Sequence, residues 1–266
     1  MHRLRTAGAL SRIARTGALL AAGLLVGLLV VVLVEAWLAR RGGVEPFVGP
    51  SRAPTTLGSA GPALTYVVLG DSTGAGQGAP PDAGIAVATA RHLARSHRVV
   101  LTNLAVSGAQ MDDVAAGQLD DAVALAPDVV LIAAGANDVT ALTSTSSVRD
   151  SLETIVDRLR AAAAKVRIVV TAAPDMGAAP RLAQPLRSIA GKRTTQVNDA
   201  IGEVVVRRRL TLAPIAEQTG PLFRADPTLF AADRFHPSAR GYATWVPVLN
   251  RALDRALGLE AENQAP

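Results

Sequence analysis

Residues 67–76 read VVLGDSTGAG. The apolar run Tyr66 to Leu69 goes straight into Gly70-Asp71-Ser72-Thr73-Gly74, as a buried parallel strand does where it ends and a helix begins. A serine at such a turn stands at the C-terminal edge of a sheet, where open α/β folds place their ligands. The same five residues satisfy the pattern G-x-S-x-G, in which a sharp strand-to-helix turn presents a nucleophilic serine. The alternative is that Ser72 or Thr73 only caps the next helix.

The rest of the chain repeats this strand-to-helix grammar. Strands are expected at Leu64 to Leu69, Val99 to Leu104, Val129 to Ala134, Val166 to Ala172 and Leu210 to Ile215. Helix-compatible stretches lie between them at Gly84 to Ser96, Asp112 to Leu125, Ser147 to Ala164 and Arg187 to Arg209, and Ala239 to Leu257 closes the series. Ser146 or Ser147 is the expected cap of the third helix, whose Arg158, Arg160 and Lys165 read as a solvated face. Alternation of this kind calls for a parallel sheet covered by helices on both faces.

Residues 1–41 carry six arginines and one acid, a surplus of five that accounts for the whole formal charge of +5. What remains holds 21 basic and 21 acidic residues, so the body offers no electrostatic footprint for nucleic acid. Gly17 to Val34 is an uncharged, proline-free run of 18 residues. Extended to residue 38 it reaches the ~20 residues that span a bilayer. A cleaved signal peptide is the alternative; against it, the run exceeds the usual ~7–15 residues of an h-region and no persuasive small-x-small site follows. The expectation is a transmembrane anchor over residues 17–38 after a cytoplasmic segment 1–16. Four arginines before the span against Arg40 and Arg41 after it keep the N-terminus inside and put the body outside, with Trp37 at the outer interface. Residues 39–62, rich in Gly, Pro, Ser and Thr, read as a linker. A domain over 63–258 and a tail over 259–266 follow. The chain has no cysteine, which removes disulfides, thiolate metal sites and a cysteine nucleophile.

A nucleophilic Ser72 needs a base. His2 precedes the span, and His92 and His97 lie beside arginines as expected surface groups, which leaves His236 in AADRFHPSARGY. Asp233, three residues earlier, can reach one imidazole nitrogen while the other faces the serine. A loop with an incidental histidine is the alternative. Gly108 follows the second expected strand, where a residue without a side chain leaves its N–H open. Asn137 follows the third, where its amide can donate to a developing negative charge. Each also has a structural reading, Gly108 as a turn residue and Asn137 with Asp138 as helix caps. What argues for chemistry is that all of them follow consecutive strands, so a parallel sheet gathers them at one edge.

Gly70-Asp71-Ser72, Gly108, Gly135-Ala136-Asn137-Asp138 and Asp233-Arg234-Phe235-His236-Pro237 together resemble, in order and spacing, the four blocks of the SGNH hydrolase or GDSL esterase/lipase family. The resemblance covers about residues 63–256. It implies a flavodoxin-like three-layer α/β/α fold and hydrolysis of esters without a cofactor. It implies Ser72 as nucleophile, His236 as base oriented by Asp233, and an oxyanion hole of the Ser72 N–H, Gly108 and Asn137. The loop Pro174 to Pro180 resembles a segment that borders the substrate pocket in lipase-like members. An α/β-hydrolase elbow follows several strands and takes its acid and histidine from well-separated loops. Ser72 follows the first strand and Asp233 neighbours His236, so the G-x-S-x-G match is coincidental. A metal-dependent phosphoesterase would need several histidines and carboxylates at one centre, and only His236 is placed for that. A tethered glycan-binding or scaffold domain on the same fold is the non-enzymatic alternative. Phe223, Phe230 and Phe235, near the histidine, are candidates for an apolar acyl pocket or for core. Envelope lipids, acylated envelope glycans and exogenous esters are the substrates within reach of the outer face.

Overall fold

The computed structural model of the chain describes residues 18–20, 22–35 and 47–259. Of the membrane features expected from sequence, Trp37 and all six N-terminal arginines lie outside the described residues, as do residues 260–266 of the tail. The apolar run forms a helix, α1 (Ala18–Glu35), long and apolar enough to cross a membrane by length and composition, with no residue of that window buried.

Six strands form one sheet: β1 (Thr55–Leu57), β2 (Ala63–Gly70), β3 (Arg98–Asn103), β4 (Val129–Ala133), β5 (Arg167–Thr171) and β6 (Thr211–Ala213), in the order β1-β3-β2-β4-β5-β6. Every pairing is parallel except β1 with β3. Setting the edge strand aside, the order is the flavodoxin-like 2-1-3-4-5, so strand order reverses between β2 and β4. The expected parallel sheet is therefore a mixed one. The inner part of the expected linker 39–62 is corrected: Thr55–Leu57 runs antiparallel to Val99–Leu101 and covers the edge of β3. A three-residue strand with one apolar side chain carries too little periodicity to be read from sequence.

Side-chain alternation explains the layers. Val67 and Leu69 of β2 and Val130 and Ile132 of β4 point to one face. There they pack on α4 (Met111–Gly117), α5 (Leu119–Ala124), α7 (Thr145–Ala162) and α8 (Leu186–Arg208). Leu64, Tyr66, Val68, Val129 and Leu131 point to the other, against α3 (Ile85–Leu93), α9 (Ile215–Ala225) and α10 (Ala239–Leu257). Both faces are dry, which is why the central strands read as continuous apolar runs. Two short helices, α2 (Ser72–Ala75) and α6 (Ala136–Ala141), start directly after β2 and β4.

Several expected elements shift for identifiable reasons. The cap of α7 is Ser144, whose hydroxyl accepts the Ser147 N–H, and not Ser146 or Ser147. The expected strand Leu210 to Ile215 shortens to β6, because Pro214 stops it and Ile215 opens α9. The expected helix Asp112 to Leu125 breaks into α4 and α5 at Gln118, which turns inward. Its buried amide donates to the carbonyl of Gly70 and accepts the Gly70 N–H, both at 2.8 Å. Gly70 sits at φ 144° where a Cβ would collide with the Ala133 carbonyl, so only glycine ends β2 in this way.

Gln118→Leu should therefore leave the Gly70 N–H buried without a partner, at a cost of about 1–3 kcal/mol. Urea unfolding should show a lower midpoint at unchanged slope.

Candidate active site

The block around Ser72 is built by capping. Asp71 follows the end of β2, and its Oδ1 accepts both the backbone N–H (2.8 Å) and the hydroxyl (2.7 Å) of Thr73, so the chain turns at once into α2 with Ser72 as first residue. Asp71 is fully buried, and burial pushes its carboxyl above the ordinary range. Ser72 is 5% exposed, with its side chain at the floor of a cavity.

His236 arrives from the loop before α10. Arg234, at φ 60°, lets the segment fold back on itself, and Ala231 N–H closes the turn on the His236 carbonyl at 2.8 Å. Inside that turn Asp233 Oδ1 accepts the N–H groups of Phe235 (2.9 Å) and His236 (3.0 Å). Its Oδ2 meets His236 Nδ1 at 2.5 Å, and His236 Nε2 meets Ser72 Oγ at 3.1 Å. A carboxylate three residues before a histidine thus reaches the ring by being locked to the backbone between them. Burial alone would raise the Asp233 carboxyl, but the bonds from His236 and Phe235 outweigh it and bring it down to about 2. From below, Tyr242 donates to the Gln77 carbonyl at 2.7 Å. Gly78 passes so close to His236 and Pro237 that a Cβ there would lie 2.5 Å from the Pro237 carbonyl.

The remaining two predicted residues stand on neighbouring loops, stapled together. Gly108 adopts φ 88° with open space where a Cβ would be, so its backbone conformation and not crowding selects glycine. Asn137 is the second residue of α6, and its amide donates one hydrogen to the Ala109 carbonyl at 3.0 Å, which aligns the group and leaves the second hydrogen available. Asp138 next to it accepts the Met111 N–H (3.1 Å to Oδ2) at the start of α4. Asp138 has no solvent exposure; burial, reinforced by Asp112 and Asp71, holds its carboxyl up at about 6. Sequence reasoning had no means to find Gln118, Asp138 as a staple, or the Ser107–Gln77 hydrogen bond (2.6 Å) that ties the Gly108 loop to the segment after α2. They are ordinary polar residues whose partners are distant in sequence. His2 lies outside the described residues; His97 bonds Ser96, and His92 is half-buried against Asp254 (2.8 Å), which corrects its reading as a solvated group. Among the described residues no three or more His, Asp or Glu side chains converge as metal ligands.

Two compartments meet at this point. A narrow cavity of about 30 Å³ lies beside Ser72 and His236, walled by Met176, Phe223, Phe230 and Trp245. A wider and more open groove of about 320 Å³ contains Gly108 and Asn137, with Leu182, Leu186 and Ile189 along its side. Phe235 borders both. The loop Pro174 to Pro180 borders the narrow cavity through Pro174, Asp175, Met176 and Ala179.

The model of the GDSL-like lipase/acylhydrolase family matches residues 68–244, and the chain belongs to that family. A GDSL-like esterase of Mycobacterium tuberculosis is 38% identical over 197 residues, 72% of this chain and 62% of the relative's length. Among solved structures, a lipase/acylhydrolase from Enterococcus faecalis aligns with TM-score 0.58 at 20% identity, over 72% of this chain and 96% of that one. A phospholipase A1 from Streptomyces albidoflavus aligns with TM-score 0.57 at 22% identity, over 71% and 99%. Those two establish the shared fold.

The position of Asp138 has a measurable consequence. Its folded pKa of about 6 lies above the ~3.9 of an unfolded aspartate, so the contribution that favours the fold is complete below pH ~4 and is lost as pH rises through 6. Asp138→Asn keeps an acceptor for the Met111 N–H and removes the titration. Its stability relative to wild type should rise between pH 4 and 7 by on the order of 2 kcal/mol, read from urea midpoints at the two pH values.

Proposed function

We propose that the chain is a serine ester hydrolase with Ser72 as nucleophile, His236 as general base and acid, and Asp233 as the group that fixes the imidazole. The observation that carries this reading is the unbroken line from Asp233 Oδ2 to His236 Nδ1 and from His236 Nε2 to Ser72 Oγ. As Ser72 Oγ attacks the ester carbonyl, its proton passes to Nε2. Asp233, a carboxylate at neutral pH, offsets the charge of the imidazolium. The carbonyl oxygen becomes an oxyanion facing the Ser72 and Gly108 N–H groups and the free amide hydrogen of Asn137. Collapse breaks the bond to the alcohol oxygen, which takes the proton from Nε2. Water then enters and gives a proton to Nε2 as its oxygen bonds the acyl carbon; the bond from that carbon to Oγ breaks, the acid leaves, and the proton on Nε2 returns to Ser72 Oγ.

The two compartments divide the substrate. The alcohol must leave while the acyl group stays bonded to Ser72, so the alcohol occupies the wider groove and the acyl group the narrow cavity. At about 30 Å³ the cavity holds about two water-sized groups, taking ~10–15 Å³ for one. This fits the tail of an acetyl or propionyl group. Phe223 and Phe230, edge to face with centroids 5.0 Å apart, set the limit. The acetyl or other short-acyl ester belongs to a lipid, an acylated envelope glycan or an exogenous ester on the outer face of the cytoplasmic membrane, with α1 as a single-pass anchor.

Ser72→Ala and His236→Ala should each remove nearly all turnover of p-nitrophenyl acetate, since the two act as a unit. Asn137→Ala should lower kcat ~10²- to 10³-fold with little change in KM. Normal kcat in a folded Asn137→Ala variant, or turnover that EDTA abolishes and a divalent metal restores, would overturn the assignment. Across acyl lengths, kcat/KM for octanoyl esters should fall well below that for acetyl. Phe223→Ala should narrow the ratio by about tenfold, because lengthening a chain in a packed pocket costs about 1–3 kcal/mol. Protease added to intact spheroplasts should digest the domain, and full protection would contradict the outward orientation.

A further inference from the structure

The open groove has a rim unlike the rest of the body. From Met176 to Asn198 the chain carries Arg181, Arg187, Lys192 and Arg193 and no acidic residue, within a body that is formally neutral as a whole. These cations lie on the loop before α8 and its first two turns. Arg187 donates to the carbonyls of Leu182 and Pro180, and Arg193 to that of Thr143; among the described residues neither pairs with a carboxylate. Arg234 joins them on the Pro180 carbonyl. Set among the cations are two large apolar side chains turned outward, Ile189 on the groove wall (41% exposed) and Leu142 beside Ala141 at its end (65% exposed). Cations around exposed aliphatic groups are the chemistry of a surface that rests on an anionic lipid interface.

The anchor helix supplies an independent pointer. Glu35, the last residue of α1, accepts the N–H of Leu186 at 3.3 Å, and Leu186 is both the first residue of α8 and part of the groove wall. The groove mouth therefore adjoins the end of the segment that enters the bilayer. We infer that the rim formed by Leu142, Ile189 and the cations of residues 181–193 docks on the anionic leaflet that holds α1, so that the active site takes its ester from the membrane surface. This rests on reading α1 as a membrane span and the groove as the substrate entrance. Its consequence is that the natural alcohol part belongs to a membrane-embedded amphiphile, presented sideways into the groove.

The chain has no cysteine, so single probes can be placed in the full-length protein. Leu142→Cys, Ile189→Cys and, in the turn before β3 at the opposite end of the sheet, Arg95→Cys would each carry an environment-sensitive nitrobenzoxadiazole. Each would be reconstituted in vesicles of phosphatidylcholine alone or with one third phosphatidylglycerol. In the anionic vesicles, acyl-chain spin-labelled lipid should quench the probes at 142 and 189 at least twofold and leave the probe at 95 unchanged. Ser188→Glu/Lys192→Glu, on the exposed side of α8, should return the quenching to its level in neutral vesicles while p-nitrophenyl acetate turnover stays within twofold. Equal quenching at all three sites, or quenching at 142 and 189 indifferent to lipid charge and to the double variant, would overturn the proposal. So would a probe shift that depends on protein concentration and not on lipid, which would mean that a second copy covers the face. Quenching needs no turnover, so a lost esterase reading and a lost docking surface are told apart.

Discussion

β2 and β4 run parallel in a register that ends them level, Gly70 opposite Ala133. Everything at the site hangs from that alignment. Strand order reverses between these two strands, so the helices that follow them leave toward opposite faces and open a crevice at the C-terminal edge. Ser72 starts the helix after one strand and Asn137 lies in the first turn of the helix after the other. The alignment is fixed by contacts that admit little substitution: the Gly70 backbone touching Ala133, and the Gln118 amide satisfying both polar groups of Gly70. A slip of one residue would exchange the side chains that β2 gives to the two buried faces.

The layer architecture was legible because buried parallel strands leave apolar runs that polar helices interrupt. The site residues were legible because each follows the end of a strand or stands beside the one suitably placed histidine. The pairing of Asp233 with His236 could be anticipated from a spacing of three, but the turn that makes it work could not. It depends on Arg234 in the left-handed region and on two backbone N–H groups held by Asp233 Oδ1. β1 escaped notice because an edge strand needs only backbone pairing. The break between α4 and α5 escaped because its cause, Gly70, lies 48 residues away. Long-range polar contacts of this kind leave no periodic trace in a sequence.

Electrostatics separates the parts of the site. Hydrogen bonds from His236 and Phe235 bring the Asp233 carboxyl down, whereas burial pushes those of Asp71 and Asp138 up. The first carboxylate bonds the imidazole and the other two hold backbone: Asp71 caps α2, and Asp138 ties the start of α4 to α6. Phe235 divides a narrow cavity beside Ser72 from a wider groove at Gly108 and Asn137, and that asymmetry supports the proposed small acyl group and larger alcohol.

The proposal that these loops form one reacting centre is tested most directly by the crystal structure of the protein after reaction with a small alkyl fluorophosphonate. The phosphorus should be bonded to Ser72 Oγ, its anionic oxygen within ~2.7–3.1 Å of the Ser72 and Gly108 nitrogens and of Asn137 Nδ2, and its alkyl group in the cavity beside Phe223. An adduct whose oxygen points away from Gly108 and Asn137, or attachment at any residue other than Ser72, would contradict it.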